Sequence, residues 1–133
     1  MADRYFTPAE VEALIPALTE IMTDVKAAQA EATAARERLH AEQERIAMSG
    51  GGVIDHVAWR QGKEELERVG QRIQARLEEI AELGGVPKDL EMGLVDFPHF
   101  RHGEVVNLCW KHGEQSIDYW HGMDEGYAKR KPL

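Results

Sequence analysis

Hydrophobic residues recur every seven positions along the first third of the chain. The pattern begins after Thr7-Pro8-Ala9-Glu10, which has the order of a helix capping box. The two apolar seam positions that follow are occupied by Val11, Leu18, Val25, Ala32, Leu39 and Ile46, and by Leu14, Ile21, Ala28 and Ala35. A heptad pattern sustained over this length predicts a long coiled-coil helix over residues 8–48.

A second helix follows a glycine-rich reversal at 49–52, where consecutive glycines can adopt positive φ angles. It is predicted over residues 54–83, and its apolar stripe consists of Leu66, Val69, Ile73, Leu77 and Ile80. The segment Gly84-Gly85-Val86-Pro87 closes it. Because a short loop joins two long helices, we expect an antiparallel hairpin over residues 8–83.

After Pro87 the apolar period changes from helical to alternating, which is typical of strands. Three strands are predicted, separated by two His-Gly turns; they cover 93–100, 104–111 and 115–121. The predicted fold class is a mostly helical α+β protein, a single domain over residues 1–133. A long antiparallel coiled-coil helical hairpin would pack at its base on a three-stranded antiparallel β-meander over 93–121, and a tail would follow at 122–133.

Strand alternation predicts an unusual polar face on this meander. If both His-Gly turns are two-residue loops, Asp96 faces Cys109 and Asn107 faces Asp118. Apolar side chains then project to one side of the sheet, towards the hairpin. The opposite side would hold acids, an amide and a thiol beside two large rings: Asp96, Phe100, Asn107, Cys109, Asp118 and Trp120. This set is the predicted ligand- or partner-binding surface.

Metal binding is an alternative, since the chain has six histidines and one cysteine. His102 and His112 would lie in turns at opposite ends of the middle strand, roughly 25 Å apart, which is too far for one ion. His102 and His121 would lie at the same end, with Asp124 just beyond, so these three are the candidate ligands. Turn chemistry is the simpler explanation of the His-Gly pairs. No cofactor is therefore predicted, and a divalent metal remains the open alternative.

Charge and cysteine content limit the classes of partner. The formal net charge is −8, which argues against nucleic-acid binding because phosphate contacts need clustered Lys and Arg. A single cysteine, Cys109, cannot form an internal disulfide, and this favours a reducing cytoplasm. The N-terminus lacks the apolar stretch of a signal peptide, and no segment predicts a membrane span.

Catalysis is not favoured by the sequence. Asp96 and Asp118 would lie about 9–10 Å apart across the middle strand, a separation compatible with an inverting hydrolase. A small sheet on a helical hairpin offers no deep pocket, however, and burial is what tunes such carboxylates. Cys109 as a nucleophile would need a neighbouring base, and His112 in the turn need not reach it.

Exposed apolar residues favour a partner instead. Trp120 and Phe100, bordered by acids, are typical of an interface anchor. A second apolar group surrounds the glycine turn and consists of Ile46, Met48, Val53, Ile54, Val57 and Trp59. We therefore predict a non-enzymatic interaction or scaffolding module that self-associates, with a homodimer favoured. The alternative is a small-ligand or metal-binding protein that uses the meander.

Several segments also resemble one family. These are Phe6-Thr7-Pro8-Ala9-Glu10 with Leu14-Ile15-Pro16, then Gly93-Leu94-Val95-Asp96-Phe97-Pro98, Leu108-Cys109-Trp110, Tyr119-Trp120-His121 and the ending Arg130-Lys131-Pro132-Leu133. They are similar to an uncharacterised bacterial family, DUF2203, over nearly the whole chain. The resemblance implies a bacterial cytoplasmic protein of this organisation, and it carries over no catalytic or binding residues.

Overall fold

The computed structural model describes residues 4–50 and 56–133. Two long helices come first and five short strands follow. The elements are α1 (Pro8–Met48), α2 (His56–Leu83), β1 (Val86–Asp89), β2 (Leu94–Arg101), β3 (Glu104–Lys111), β4 (Tyr119–Gly122), a 3₁₀-helix (Tyr127–Lys129) and β5 (Lys131–Pro132). The mostly helical α+β class is thereby confirmed. Parts of two predictions, glycines 51–52 of the reversal and a helix start at Ile54, fall outside the described residues.

Helix α1 begins at the predicted capping box. The backbone N–H of Glu10 donates to Thr7 Oγ1 at 3.2 Å, and the backbone N–H of Thr7 donates to Glu10 Oε1 at 2.8 Å. These two bonds satisfy donors that the first turn of a helix leaves free. Within the described residues, neither helix has a stretch long and apolar enough to cross a membrane.

Helix α2 ends at a glycine that no other residue could replace without strain. Gly84 has φ +98°, and a Cβ there would lie 2.3 Å from Cζ of Phe6. Gly85 follows, and its backbone N–H donates to the carbonyl of Ile80 at 3.1 Å, which completes the helix C-cap. Gly84 therefore both turns the chain and leaves room for Phe6 to pack against the turn, while Gly85 leaves room for Val95 and Phe97.

The contacts divide the chain into two compact units. The first contains the chain up to Asp24 together with Arg76–Leu133, and the second is Val25–Ala75. The second unit has a small buried core of Ala28, Ala32 and Val69, against which Leu66 and Ile73 pack.

Ion pairs fix the direction of the two helices inside the second unit. Glu31 pairs with Arg72 at 2.6 Å and Arg38 pairs with Glu65 at 2.8 Å. Residue numbers rise along α1 as they fall along α2, so the helices are antiparallel there. The buried seam confirms the predicted apolar stripe, while the coiled-coil supercoil and the single-domain assignment stay predictions.

The sheet has five strands rather than the predicted three. Their order is β1-β2-β3-β4-β5, and each strand is antiparallel to its neighbour. β1 was not predicted from the sequence because it is short, contains Pro87 and pairs along one edge only. The two-residue β5 shows no alternation at all, and it lies in the segment predicted as a tail.

The register of β2 with β3 agrees with the prediction, whereas that of β3 with β4 does not. Asp96 pairs with Cys109 and Arg101 with Glu104, around a turn in which His102 has φ 49° and Gly103 φ 82°. Across the next pair, Asn107 lies opposite His121 instead of Asp118. A tight turn does form at 112–113, where the backbone N–H of Glu114 donates to the carbonyl of Lys111 at 2.9 Å. The prediction that a strand follows this turn directly was wrong, because a longer connection precedes β4, which begins only at Tyr119.

This connection is held by Glu114. Its backbone carbonyl accepts from Trp110 Nε1 at 3.0 Å, and its carboxylate accepts from the backbone N–H of Lys111 at 2.8 Å. The register differs from the predicted one by three residues. Because this is an odd number, each side chain of β4 projects to the opposite face of the sheet from the one predicted. Trp120 consequently lies opposite Leu108.

One side of the sheet, called here the apolar face, forms the core of the first unit. Val95, Phe97, Leu108 and Trp110 have no exposed side-chain surface. Phe6 packs edge-on against Phe97 with ring centroids 5.1 Å apart. Burial of these large side chains, together with buried side chains of the helices such as Leu18, Met22 and Ile80, stabilises this unit.

Candidate functional site

Three side chains with metal-binding atoms meet on the other side of the sheet, called here the polar face. Asp96 comes from β2, Cys109 from β3 and His121 from β4. Asp96 is paired with Cys109, and His121 is paired with Asn107, two residues from Cys109 along β3. Because residues two apart in a strand share a face, all three point the same way. Their ligand atoms lie within 4.8 Å of one another.

The cluster is inaccessible to bulk water. The exposed fraction is 2% for Asp96, 1% for Cys109 and 2% for His121. Buried polar groups of this kind are costly unless each finds a partner. The arrangement of hydrogen atoms and charges in the cluster is therefore constrained.

The hydrogen bonds of His121 define its tautomer. Its Nδ1 lies 2.9 Å from the carbonyl oxygen of Gly122, and a carbonyl can only accept, so Nδ1 carries a hydrogen and donates it. Its Nε2 lies 3.1 Å from Asp96 Oδ1. An unprotonated Nε2 and a carboxylate oxygen would repel each other at this distance. A proton or another cation must therefore lie between them.

The thiol of Cys109 is held in its protonated form. Burial raises the pKa of Cys109 to about 12, the Asp96 carboxylate adds to the rise, and the positive charge of Arg130 opposes it. A thiol in this state is a poor nucleophile at neutral pH. A bound metal ion would reverse the balance, because metal coordination deprotonates a thiol.

Arg130 lies in the layer that covers the polar face. Its guanidinium carbon lies 4.1 Å from the ring centroid of Tyr119 and 4.8 Å from that of Tyr127. Tyr119 is two residues before His121 in β4 and so belongs to the polar face. Arg130 Nη2 donates to Glu114 Oε2 at 2.7 Å. The C-terminal segment thereby shields the cluster from solvent.

Comparison with known proteins identifies a family. A family model described as an uncharacterised conserved protein, DUF2203, matches residues 4–133. The chain belongs to this family. The match confirms the resemblance found in the sequence, and it includes all three residues of the cluster. No curated protein and no solved structure matches the chain.

The structure brings together only part of the predicted binding surface. Asp96, Asn107 and Cys109 share the polar face and are buried, as is His121. Phe100 has the same parity in β2 but lies at its far end and is 57% exposed. Asp118 lies before β4, is exposed, and accepts a hydrogen bond from the hydroxyl of Ser116.

Trp120 requires a correction. The predicted register placed it beside the acids, but its pairing with Leu108 puts it on the apolar side of the sheet. There its ring lies between two cations, with Arg101 4.9 Å and Lys131 4.7 Å from the centroid. Trp120 therefore does not border the cluster in the way that the sequence predicted.

The predicted metal ligands are likewise separated into two groups. His121 belongs to the buried cluster, whereas His102 lies in the β2–β3 turn and Asp124 follows β4, and both are exposed. Among the described residues, the one group of three or more potential ligands that could hold an ion is Asp96, Cys109 and His121. The sequence missed it because the assumed two-residue turn put His121 on the opposite face. Predicting the cluster would have required the length of the connection after Gly113, and no sequence pattern in residues 114–118 indicates that length.

Proposed function

We propose that this protein binds one divalent transition-metal ion through the Asp96 carboxylate, the Cys109 thiolate and Nε2 of His121. The observation that carries the proposal is the convergence of three different donor types, from three adjacent strands, in a buried cluster. This is the metal-binding alternative drawn from the sequence, with a partly different set of ligands.

The electrostatics of the cluster support a cation at its centre. The lone pairs of Asp96 and of Nε2 of His121 face each other; a proton satisfies both in the metal-free protein, and a metal ion would satisfy both in its place. A divalent ion with one carboxylate, one thiolate and one neutral imidazole forms a group of zero net charge, which suits a low-dielectric interior. The bond from Nδ1 to the Gly122 carbonyl is the type of outer contact that orients a metal-binding histidine.

The donor set favours zinc or a similar ion. Zinc accepts sulfur at about 2.3 Å and nitrogen or oxygen at about 2.0–2.2 Å, in tetrahedral geometry. Tetrahedral donors are then about 3.3–3.7 Å apart, so the donor atoms, which lie within 4.8 Å of one another, have to close by at most about 1–1.5 Å. A thiolate ligand also needs a reducing compartment, so we propose the cytoplasm as the location.

Metal titration of chelator-treated protein, purified without a histidine tag, tests this proposal. Co²⁺ should bind with one ion per chain and produce a thiolate-to-cobalt charge-transfer band. Cys109→Ser should abolish the band, and Asp96→Asn should weaken binding. His102→Gln and Asp124→Asn are matched controls, since they remove a similar ligand outside the cluster, and both should bind Co²⁺ normally. Failure to bind one equivalent, or loss of binding in the two controls alone, would refute the assignment.

A second proposed function is self-association as a non-enzymatic interaction module, with a homodimer favoured. Its supporting observation is exposed apolar surface in the second unit, where Met48 is 89% and Val57 58% exposed. Light scattering over a range of concentrations should give a dimer. Introducing lysine at both positions should give a monomer, while Ala30→Lys, an exposed change in the same unit, should not. A monomeric wild-type protein at high concentration would contradict it.

A further inference from the structure

Arg130 contains a buried donor that the described residues leave unexplained. Its side chain is 9% exposed, and its Nη2 is occupied by Glu114. Its Nε is fully buried and has no hydrogen-bond partner among the described residues. An orphaned donor on a charged group is costly, so such groups usually mark an acceptor that belongs to a ligand or a water molecule.

The position of Arg130 relates this donor to the metal site. The three metal-binding side chains rise from one face of the sheet, so three of the four tetrahedral positions of an ion are directed towards the sheet. The fourth position of such an ion would be directed away from the sheet, on the side where Arg130 stacks on Tyr119. Tyr119, on which Arg130 stacks, lies on the same face of β4 as the metal-binding residue His121.

The charges of this layer favour a negatively charged occupant. Arg130 and Lys111, which lies 5.3 Å from the ring centroid of Tyr127, supply two positive charges, and Glu114 supplies one negative charge. The neutral metal group adds nothing to this sum. Among these three groups one positive charge remains beyond the Arg130–Glu114 ion pair, which favours an anion over a cation at this place.

We propose that the fourth ligand of the metal is a small monovalent anion of the carboxylate class, held also by Nε–H of Arg130. This inference rests on the metal site proposed above. A guanidinium donor matches a carboxylate oxygen in geometry and charge. Because Nε offers a single hydrogen bond and the cluster is buried, formate and acetate fit better than larger acids.

The test is titration of the Co²⁺-loaded full-length protein with sodium formate and sodium acetate, followed by its visible absorption. Sodium perchlorate at equal ionic strength serves as the weakly coordinating control. We expect saturable changes in the cobalt bands with formate and acetate and none with perchlorate. Arg130→Gln should weaken anion binding at least about tenfold, the loss expected for one charge-assisted hydrogen bond. Lys129→Gln removes an exposed neighbouring charge and should leave anion binding within about twofold.

Glu114→Gln provides a second test that keeps Arg130 in place. Removing the competing carboxylate should tighten formate binding, whereas a purely structural Arg130 would leave it unchanged or weaker. Cobalt bands that ignore formate and acetate, or an Arg130→Gln protein that binds them as wild type does, would overturn the anion site alone. Absence of cobalt bands in the wild-type protein would overturn the metal site and the anion site together.

Discussion

The contact between Asp96 and His121 predicts losses of stability of very different size for two substitutions at one position. In metal-free protein, Asp96→Asn places an amide where the carboxylate was, and its N–H can donate to Nε2 of His121. A buried pair that needs a bridging cation then becomes a neutral hydrogen bond. Asp96→Ala removes the partner entirely and leaves Nε2 buried and unsatisfied.

The magnitudes follow from burial. Replacement of a buried charged pair by a neutral pair of similar shape is close to neutral, so Asp96→Asn should change the free energy of unfolding by less than about 1 kcal/mol. Breaking such a pair costs about 3–5 kcal/mol, which is the expected loss for Asp96→Ala. Both side chains are almost fully buried, so screening by solvent does not reduce the difference in stability between the two variants.

Metal addition should widen the difference in stability between the wild-type protein and Asp96→Asn. At a free zinc concentration one hundred times the dissociation constant, wild-type protein gains about 2.7 kcal/mol of stability. If Asp96→Asn weakens binding a hundredfold, its gain at the same concentration falls to about 0.4 kcal/mol.

Urea unfolding of chelator-treated and zinc-loaded protein measures these values, with Trp110 and Trp120 as fluorescent reporters in the first unit. The reasoning would be refuted if metal-free Asp96→Asn lost as much stability as Asp96→Ala. That result would mean that the charge of Asp96, and not the hydrogen bond, stabilises the cluster.

Three further outcomes follow from the helices and the C-terminal segment. Thr7→Ala should cost about 1 kcal/mol in urea unfolding, because it removes the acceptor of the capping box, and an unchanged stability would contradict the cap. Gly70→Ala should stabilise α2 by about 0.5–1 kcal/mol, because a Cβ at this position meets nothing within 4 Å. Gly62→Ala should stabilise it less, because its Cβ would lie 2.8 Å from Leu39. Thermal unfolding followed by circular dichroism compares the two variants. The bonds from Lys131 and the Gly122 N–H lower the pKa of Glu125 below 4.5, so its contribution should be present above pH 4.5 and lost as pH falls through the lowered pKa. Glu125→Gln should therefore differ from wild type in unfolding experiments at neutral pH and converge with it in acid; a constant difference would exclude this linkage.

The helices were predictable because their signals are local. The capping box, the seven-residue repeat and the terminal glycines each act within a few residues, and α1 spans Pro8–Met48 as expected. The β2–β3 pair was predictable for the same reason, since His102 and Gly103 both adopt the positive φ angles of a tight turn. Asp96 and Cys109 could thus be placed side by side from the sequence.

The third member of the cluster depends on interactions that are distant in sequence. Glu114 is held by Trp110 and also by Arg130, which belongs to the C-terminal segment. These bonds, together with the turn at 112–113, hold the connection that separates β3 from β4. The same segment covers the polar face, so a surface expected to be exposed is buried and the site changes from a recognition surface to an enclosed cluster.

The strand order has a kinetic consequence for the proposed metal site. Each strand pairs with its neighbour in sequence, so the sheet can grow one hairpin at a time with little loss of chain entropy at each step. The three donors lie on successive strands and meet only when β4 has docked. An ion held by all three donors stabilises only states in which β4 is docked, so if β4 docks after the rate-limiting step the ion acts mainly by slowing unfolding. Bound metal should therefore lower the unfolding rate of the protein much more than it raises the folding rate.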